Sequence, residues 1–418
     1  MYIPSVLLLA ASLLQGATAL PTLGSTPLPP SQDPWYRAPE GFEQAEPGAI
    51  LRVRAAPGNL TAIVGNASAA YNILYRTTDS RYQPSWAVTT LLLPPSAAAA
   101  AINQSALLSY QIAYDSFDLN ASPSYALYSN PPADIAIALN RGWFVNVPDY
   151  EGPLASFTAG VQSGHATLDS VRSVLASGFG LNSDARYALW GYSGGSIASE
   201  WAAELQMQYA PELNISGIAI GGVIPNVTNV METVTGTLSA GLIPPATLGL
   251  SSQHPETYNF ILSQLNPTGP YNRTTFLAAR AMTLSESEVI FANQNIFNYF
   301  INGSATFLNP VVQKTLSQDG YMGYHGFPQM PVFAYKAIHD EVSPVQDTDR
   351  LVKRYCGVGV NILYERNTVG GHSAEQLNGD ARAWAWLGSV LEGTYAQTYK
   401  TLGCTIRNVT LNTTSSPL

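Results

Sequence analysis

The pentad Gly191-Tyr192-Ser193-Gly194-Gly195 sets one serine between glycines. It follows the apolar run Tyr187-Ala188-Leu189-Trp190 and precedes the small residues Ser196 and Ala198. A strand that turns sharply into a helix needs glycine on both sides of the turn residue, because the two backbones crowd there. Such a turn lifts the serine hydroxyl above the sheet edge, at a helix N-terminus. The chemistry this arrangement suits is nucleophilic acyl transfer. In a chain with 34 glycines the pattern also arises by chance, so its partners must carry the argument.

A serine hydroxyl is a weak nucleophile at neutral pH. It needs a base, and the base needs an orienting carboxylate. On a strand–turn–helix scaffold of this kind the order along the chain is serine, acid, histidine. Of the five histidines (His165, His254, His325, His339 and His372), only His372 lies beyond the last expected strand, in Val369-Gly370-Gly371-His372-Ser373. His325 and His339 are candidates for cap or site-lining residues, and His165 for packing or hydrogen bonding where a helix opens. Asp340 follows the C-terminal tip of the penultimate strand and is the expected acid. Its neighbour Glu341 is expected to point elsewhere on the turn. Asp347 and Asp349 fall in the next helix and are expected to be solvated. The developing oxyanion needs two donors. The N–H of Gly194 is one; Asp115, in Tyr114-Asp115-Ser116 after an early strand, is the candidate for the other.

These residues must be held by a scaffold. Strands are expected at 86–93, 107–113, 143–147, 187–190, 215–220, 332–335 and 361–364. Helices are expected at 164–178, where Leu168, Val171, Val174 and Leu175 recur at helical spacing, and at 196–209, 345–355 and 374–396. Strands alternating with helices imply a mainly parallel sheet with helices on both faces, here an α/β-hydrolase fold. Residues 225–325 break the rhythm with helical segments at 274–283 and 285–300. They read as a helical cap inserted over the site, or as a decoration away from it. The expected layout is a leader at 1–19, a Pro-rich arm at 20–48, a core at 49–224 and 326–404 flanking the cap, and a Ser/Thr/Asn-rich tail at 405–418.

Composition narrows the setting. The apolar run 7–14 followed by Ala17-Thr18-Ala19 reads as a cleavable secretory leader, and no later stretch is apolar enough to span a membrane. Ten N-x-S/T sequons, at Asn59, Asn66, Asn103, Asn120, Asn214, Asn226, Asn272, Asn302, Asn408 and Asn412, agree with export. The even cysteine count, Cys356 and Cys404, suggests one disulfide in an oxidising compartment. Neither has histidine or cysteine neighbours at zinc-ligand spacing, and no metal or cofactor is called for. Charged residues are 11% of the chain and the net charge is −9, which excludes electrostatic nucleic-acid binding. A monomer meeting its substrate in solution or at a lipid–water interface is expected.

Together, Tyr110-Gln111 through Tyr114-Asp115-Ser116, Val147-Pro148-Asp149-Tyr150-Glu151-Gly152-Pro153, the serine pentad, His339-Asp340-Glu341-Val342 and Gly371-His372 resemble the fungal secretory lipase family of yeast lipase A-type enzymes. The matching pieces span about 90–375. The resemblance implies hydrolysis of triacylglycerols or other esters by Ser193, His372 and Asp340, an oxyanion hole at Asp115 and Gly194, a helical cap, and a Cys356–Cys404 bridge. Two features depart from the family. A second disulfide joining core to cap is absent, and the chain ends soon after Cys404. Two alternatives remain open: a carboxylesterase of short-chain or bulky esters, or a peptidase, on the same scaffold; and a recognition protein that kept the fold without catalysis.

Overall fold

The computed structural model describes residues 26–413. The leader expected at 1–19, the start of the arm and the last five residues lie outside the described residues. Ten strands form a single sheet: β1 (Ile50–Ala55), β2 (Ala69–Thr78), β3 (Pro84–Leu93), β4 (Ala106–Gln111), β5 (Phe144–Pro148), β6 (Arg186–Tyr192), β7 (Gly217–Gly221), β8 (Val332–Ala337), β9 (Ile362–Asn367) and β10 (Cys404–Val409). Their order across the sheet is β1-β2-β3-β5-β4-β6-β7-β8-β9-β10. β1, β2, β3 and β5 pair antiparallel; every other pairing is parallel. Parallel neighbours require crossovers, and the crossover helices cover both faces.

This arrangement explains why β4, β5, β7 and β8 are buried at every residue rather than at alternate ones. One face packs Leu107, Leu168, Trp201 and Ile218 with the helices Gly160–Ala176, Gly194–Tyr209 and Val345–Gly357. The other packs Leu108, Trp143, Trp190 and Phe333 against Trp386 and Leu387 of the helix His372–Leu391. The α/β-hydrolase fold expected from the alternation is the fold observed.

Three strands escape the sequence reading. β1 carries Arg52 and Arg54, which reach the arm; Arg54 pairs with Asp33 at 2.6 Å. β2 interrupts its apolar run with Asn72 and Arg76. β10 starts at Cys404, the last residue read as core, and runs five residues into the segment read as a tail, pairing with β9 from Cys404 to Val409. All three lie at or next to a sheet edge, where half-solvated positions give no continuous hydrophobic signal. The Cys356–Cys404 disulfide ties the start of β10 to the end of the helix Val345–Gly357. Arm residues pack on β3: Trp86 donates its indole N–H to the Tyr36 carbonyl at 2.9 Å, and Phe42 meets the Trp86 ring edge-on at 5.2 Å.

Between β7 and β8 the described chain forms helices and two isolated bridges but no strand. These helices have an apolar cluster of their own around Leu248, Ile261, Phe276, Phe291, Tyr299 and Phe307. The helix expected over 285–300 is broken. It runs Leu284–Phe291 from a Thr283/Glu286 capping box, and a separate turn, Ile296–Tyr299, starts where the Asn295 side chain accepts the Phe297 N–H. An asparagine that bonds nearby backbone competes with helix continuation.

Candidate active site

Ser193 stands between β6 and the helix Gly194–Tyr209 with φ 52° and ψ −121°, a strained conformation for a non-glycine residue. The glycines around it are sterically required. A Cβ on Gly191 would lie 2.1 Å from the Gly195 carbonyl oxygen, and one on Gly195 would lie 1.9 Å from that of Gln111. The Ser193 N–H donates to the Gly221 carbonyl at the end of β7 (3.0 Å), so the turn is locked to the neighbouring strand.

His372 opens the helix His372–Leu391. Its Nε2 lies 2.8 Å from Ser193 Oγ and its Nδ1 2.7 Å from Asp340 Oδ2. A carboxylate opposite Nδ1 places the ring proton there and leaves Nε2 free to accept the serine hydroxyl. Asp340 Oδ1 accepts the N–H groups of Val342 (2.9 Å) and Ser343 (2.7 Å). Burial opposes ionisation of Asp340. The His372 hydrogen bond and the Lys336 ammonium outweigh it and hold the carboxyl well below the usual range. The structure thus joins Ser193, His372 and Asp340 in one hydrogen-bonded chain.

Asp115 follows β4 with φ 46°. A Cβ on Gly194 would lie 1.9 Å from Asp115 Oδ1, so the two oxyanion candidates adjoin. The Asp115 carboxyl is buried, and Oδ1 has no hydrogen-bond partner. Burial pushes its pKa up to about 6, with the His372 charge pulling it down and Glu288 pushing it further up.

Two expectations are corrected. Glu341 does not point away, since its Oε2 accepts the His372 backbone N–H at 2.8 Å. Asp347 is not solvated. It is buried and accepts both its oxygens' bonds from Asn229 Nδ2 (2.9 Å each), besides pairing with Arg350. Asp349 is partly exposed and pairs with Arg366 at 3.0 Å. His165 lies in the interior, stacked on Tyr209 at 3.8 Å, and burial lowers its pKa to about 3, so it packs as a neutral ring. His325 packs on Trp201, His339 is exposed, and neither lines the pocket beside Ser193. Sequence reasoning missed Lys336, which lies one residue past the strand expected at 332–335 but within β8, and Tyr192, whose hydroxyl donates to the His372 carbonyl at 2.6 Å.

Ser193, Gly194 and Asp115 open onto a pocket with about 800 Å³ of empty space, open solvent at its mouth included. Ile224, Val227, Met231, Ile243, Leu250, Ile261, Phe307, Val312 and Leu316 line it, mostly from the helical layer between β7 and β8. Four of its hydroxyls are engaged with the protein itself. Thr158 donates to Ala246 O (3.2 Å), Ser251 to Thr247 O (2.6 Å), and Thr257 and Thr315 bond each other at 2.7 Å. The lining therefore offers a ligand an almost wholly apolar surface.

The profile of the family described as secretory lipase matches residues 132–398. The chain is 53% identical to trichothecene C-3 esterase of Fusarium sporotrichioides, over 94% of this chain and 91% of that protein. It is 38% identical to lipase A of Arthroderma benhamiae, over 90% and 82%. The crystal structure of Candida antarctica lipase A superposes with a TM-score of 0.83 at 27% identity, covering 94% of this chain and 92% of that one. With the fold, the sequence match and the serine turn in agreement, the chain belongs to the secretory lipase family and is a carboxylic ester hydrolase.

Proposed function

We propose that the protein is a secreted hydrolase of apolar carboxylic esters that works through an acyl-enzyme on Ser193. Ser193 Oγ bonds to the ester carbonyl carbon while its proton passes to His372 Nε2, and Asp340 stabilises the imidazolium. The N–H groups of Gly194 and Asp115 receive the oxyanion. Collapse breaks the ester bond, and the departing alcohol takes the proton from His372. Water then attacks the acyl-enzyme, gives a proton to His372, and leaves as the carboxylic acid when that proton returns to Ser193. The observation that carries this reading is the Ser193–His372–Asp340 chain opening onto the apolar pocket.

Triacylglycerols and other long-chain esters suit that pocket, because an acyl chain needs apolar walls and no polar partner. The helical residues 225–325 act as its roof. A second reading, a bulky ester such as the C-3 ester of a trichothecene, is favoured by the 53% identity to a trichothecene C-3 esterase against 38% to a lipase. Export is supported by the leader pattern at 1–19 and by the ten sequon asparagines, none of which is buried.

A well-folded Ser193→Ala protein is expected to lose hydrolysis and fluorophosphonate labelling together. Activity retained by that variant would sink the mechanism. Rates on emulsified triolein, dissolved p-nitrophenyl butyrate and a trichothecene C-3 ester separate the substrate readings.

A further inference from the structure

Beside the Ser193–His372–Asp340 chain lies a charge that ester hydrolysis does not itself require. Lys336, the fifth residue of β8, is wholly buried in a strand buried along its length. Its Nζ donates to Asp340 Oδ2 at 2.9 Å and to the Val223 carbonyl at 3.0 Å. That carboxylate oxygen is the one facing His372 Nδ1. With Val342 and Ser343 on Oδ1, four donors surround Asp340. The Val223 carbonyl also accepts Ser343 Oγ at 3.0 Å, so the ammonium joins the end of β7 to the turn that carries the acid. Burying an ammonium costs several kcal/mol unless it is paired, and an apolar side chain of similar volume commonly packs as well or better. Packing alone gives no reason for a cation here.

We infer that Lys336 is a positioning residue for the hydrolysis: it holds Asp340 Oδ2 toward His372 Nδ1 and places a positive charge against the acids that surround that pair. The inference rests on the proposed triad. The charged and titratable groups facing this site come from every element around it. They are Asp340 and Glu341 on the turn after β8, Asp347 on the helix Val345–Gly357, Asp115 after β4, Tyr192 at the end of β6, and Glu375 on the His372 helix. The carboxylates among them favour the imidazolium, whereas burial keeps Tyr192 a neutral phenol and Asp115 adds charge only above about pH 6. Arg350 pairs with Asp347 and Arg382 with Glu375 farther out; Lys336 is the cation bonded to Asp340 itself, and it opposes that tendency through the oxygen it shares with His372. Taking the charge away leaves those carboxylates unopposed at the His372–Asp340 pair, and the acid limb of the activity profile should move to higher pH. Burial weakens Lys336's own hold on a proton, and the carboxylates, Asp340 foremost, offset that only in part.

The test compares kcat/KM against pH on p-nitrophenyl butyrate for the parent, Lys336→Gln and Lys336→Met, with active sites counted by fluorophosphonate titration. Glutamine keeps an N–H donor without the charge; methionine keeps neither. Both variants should move the acid limb upward by about half to one pH unit. Lys336→Gln should lose about threefold in plateau kcat and Lys336→Met about tenfold or more, with KM within about twofold. A folded Lys336→Gln protein whose acid limb coincides with the parent's would overturn the inference, because a merely structural lysine lowers rates without moving that limb. Where Lys336→Met does not accumulate as folded protein, the glutamine variant decides alone. Ser193→Ala separates the two levels. If it stays active, the triad reading fails; if it is inactive and the limb has not moved, only the role of Lys336 fails.

Discussion

Two buried aspartates flank Ser193, one after β8 and one after β4, and they differ in almost everything but burial. Asp340 accepts from His372, Lys336, Val342 and Ser343 and stays ionised. Asp115 has an oxygen with no partner, and burial pushes its pKa up to about 6. The charge of a buried carboxyl follows its donors rather than its depth. In the proposed mechanism Asp340 acts through its side chain, while Asp115, at a left-handed φ of 46°, would act through its backbone N–H.

Substitutions can break this contrast, beginning with the largest effect. Asp340→Asn should lower kcat by about 10⁴-fold. Oδ2 now receives two donors, and an amide cannot serve both of them and the two backbone N–H groups. Initial rates on a soluble ester measure it. Gly194→Ala should cost about 10²- to 10³-fold, as loss of an oxyanion donor does, because the new Cβ would collide with Asp115 Oδ1; kcat on the same ester reads the loss. Glu341→Ala removes the acceptor for the His372 N–H and should reduce kcat about tenfold with KM unchanged, since that bond orients the base.

The smallest effect tests the Asp115 side directly. Asp115→Asn tolerates the positive φ and removes a charge that forms above about pH 6. The ratio of variant to parent kcat/KM should rise a few-fold as pH increases through 6, because the parent's carboxylate then repels the oxyanion. Stability should move the same way. The folded-state pKa of Asp115 lies above its unfolded value, so the parent loses stability as pH rises from about 4 to 6. The Asp115→Asn protein is spared that loss, and thermal melts at pH 4 and pH 7 report it.

The contrast also shows which parts of the site the sequence could convey. The glycine-flanked serine, the acid past a strand tip and the one histidine beyond the last expected strand are marked by order and local residue type. These three meet in space because parallel strands bring their C-terminal ends to one edge of the sheet. Lys336 was not legible, because nothing in Val332-Phe333-Ala334-Tyr335-Lys336 tells a buried strand lysine from an edge one. The role of Glu341 was missed because its partner is a backbone N–H 31 residues away. β1 and β10 were hidden by polar residues that serve the arm and the solvent-facing edge.

The hydroxyls of Thr158, Ser251, Thr257 and Thr315 around the pocket are already engaged with the protein's own backbone and with each other. A substrate therefore gains there only by leaving water. Each methylene that enters should contribute about 0.8 kcal/mol, close to a fourfold change in kcat/KM. Across a homologous ester series, log kcat/KM should climb with the octanol–water partition coefficient and level off where the chain reaches the end of the cavity. The enzyme would then rank its substrates by oiliness first and by shape only once the cavity is full.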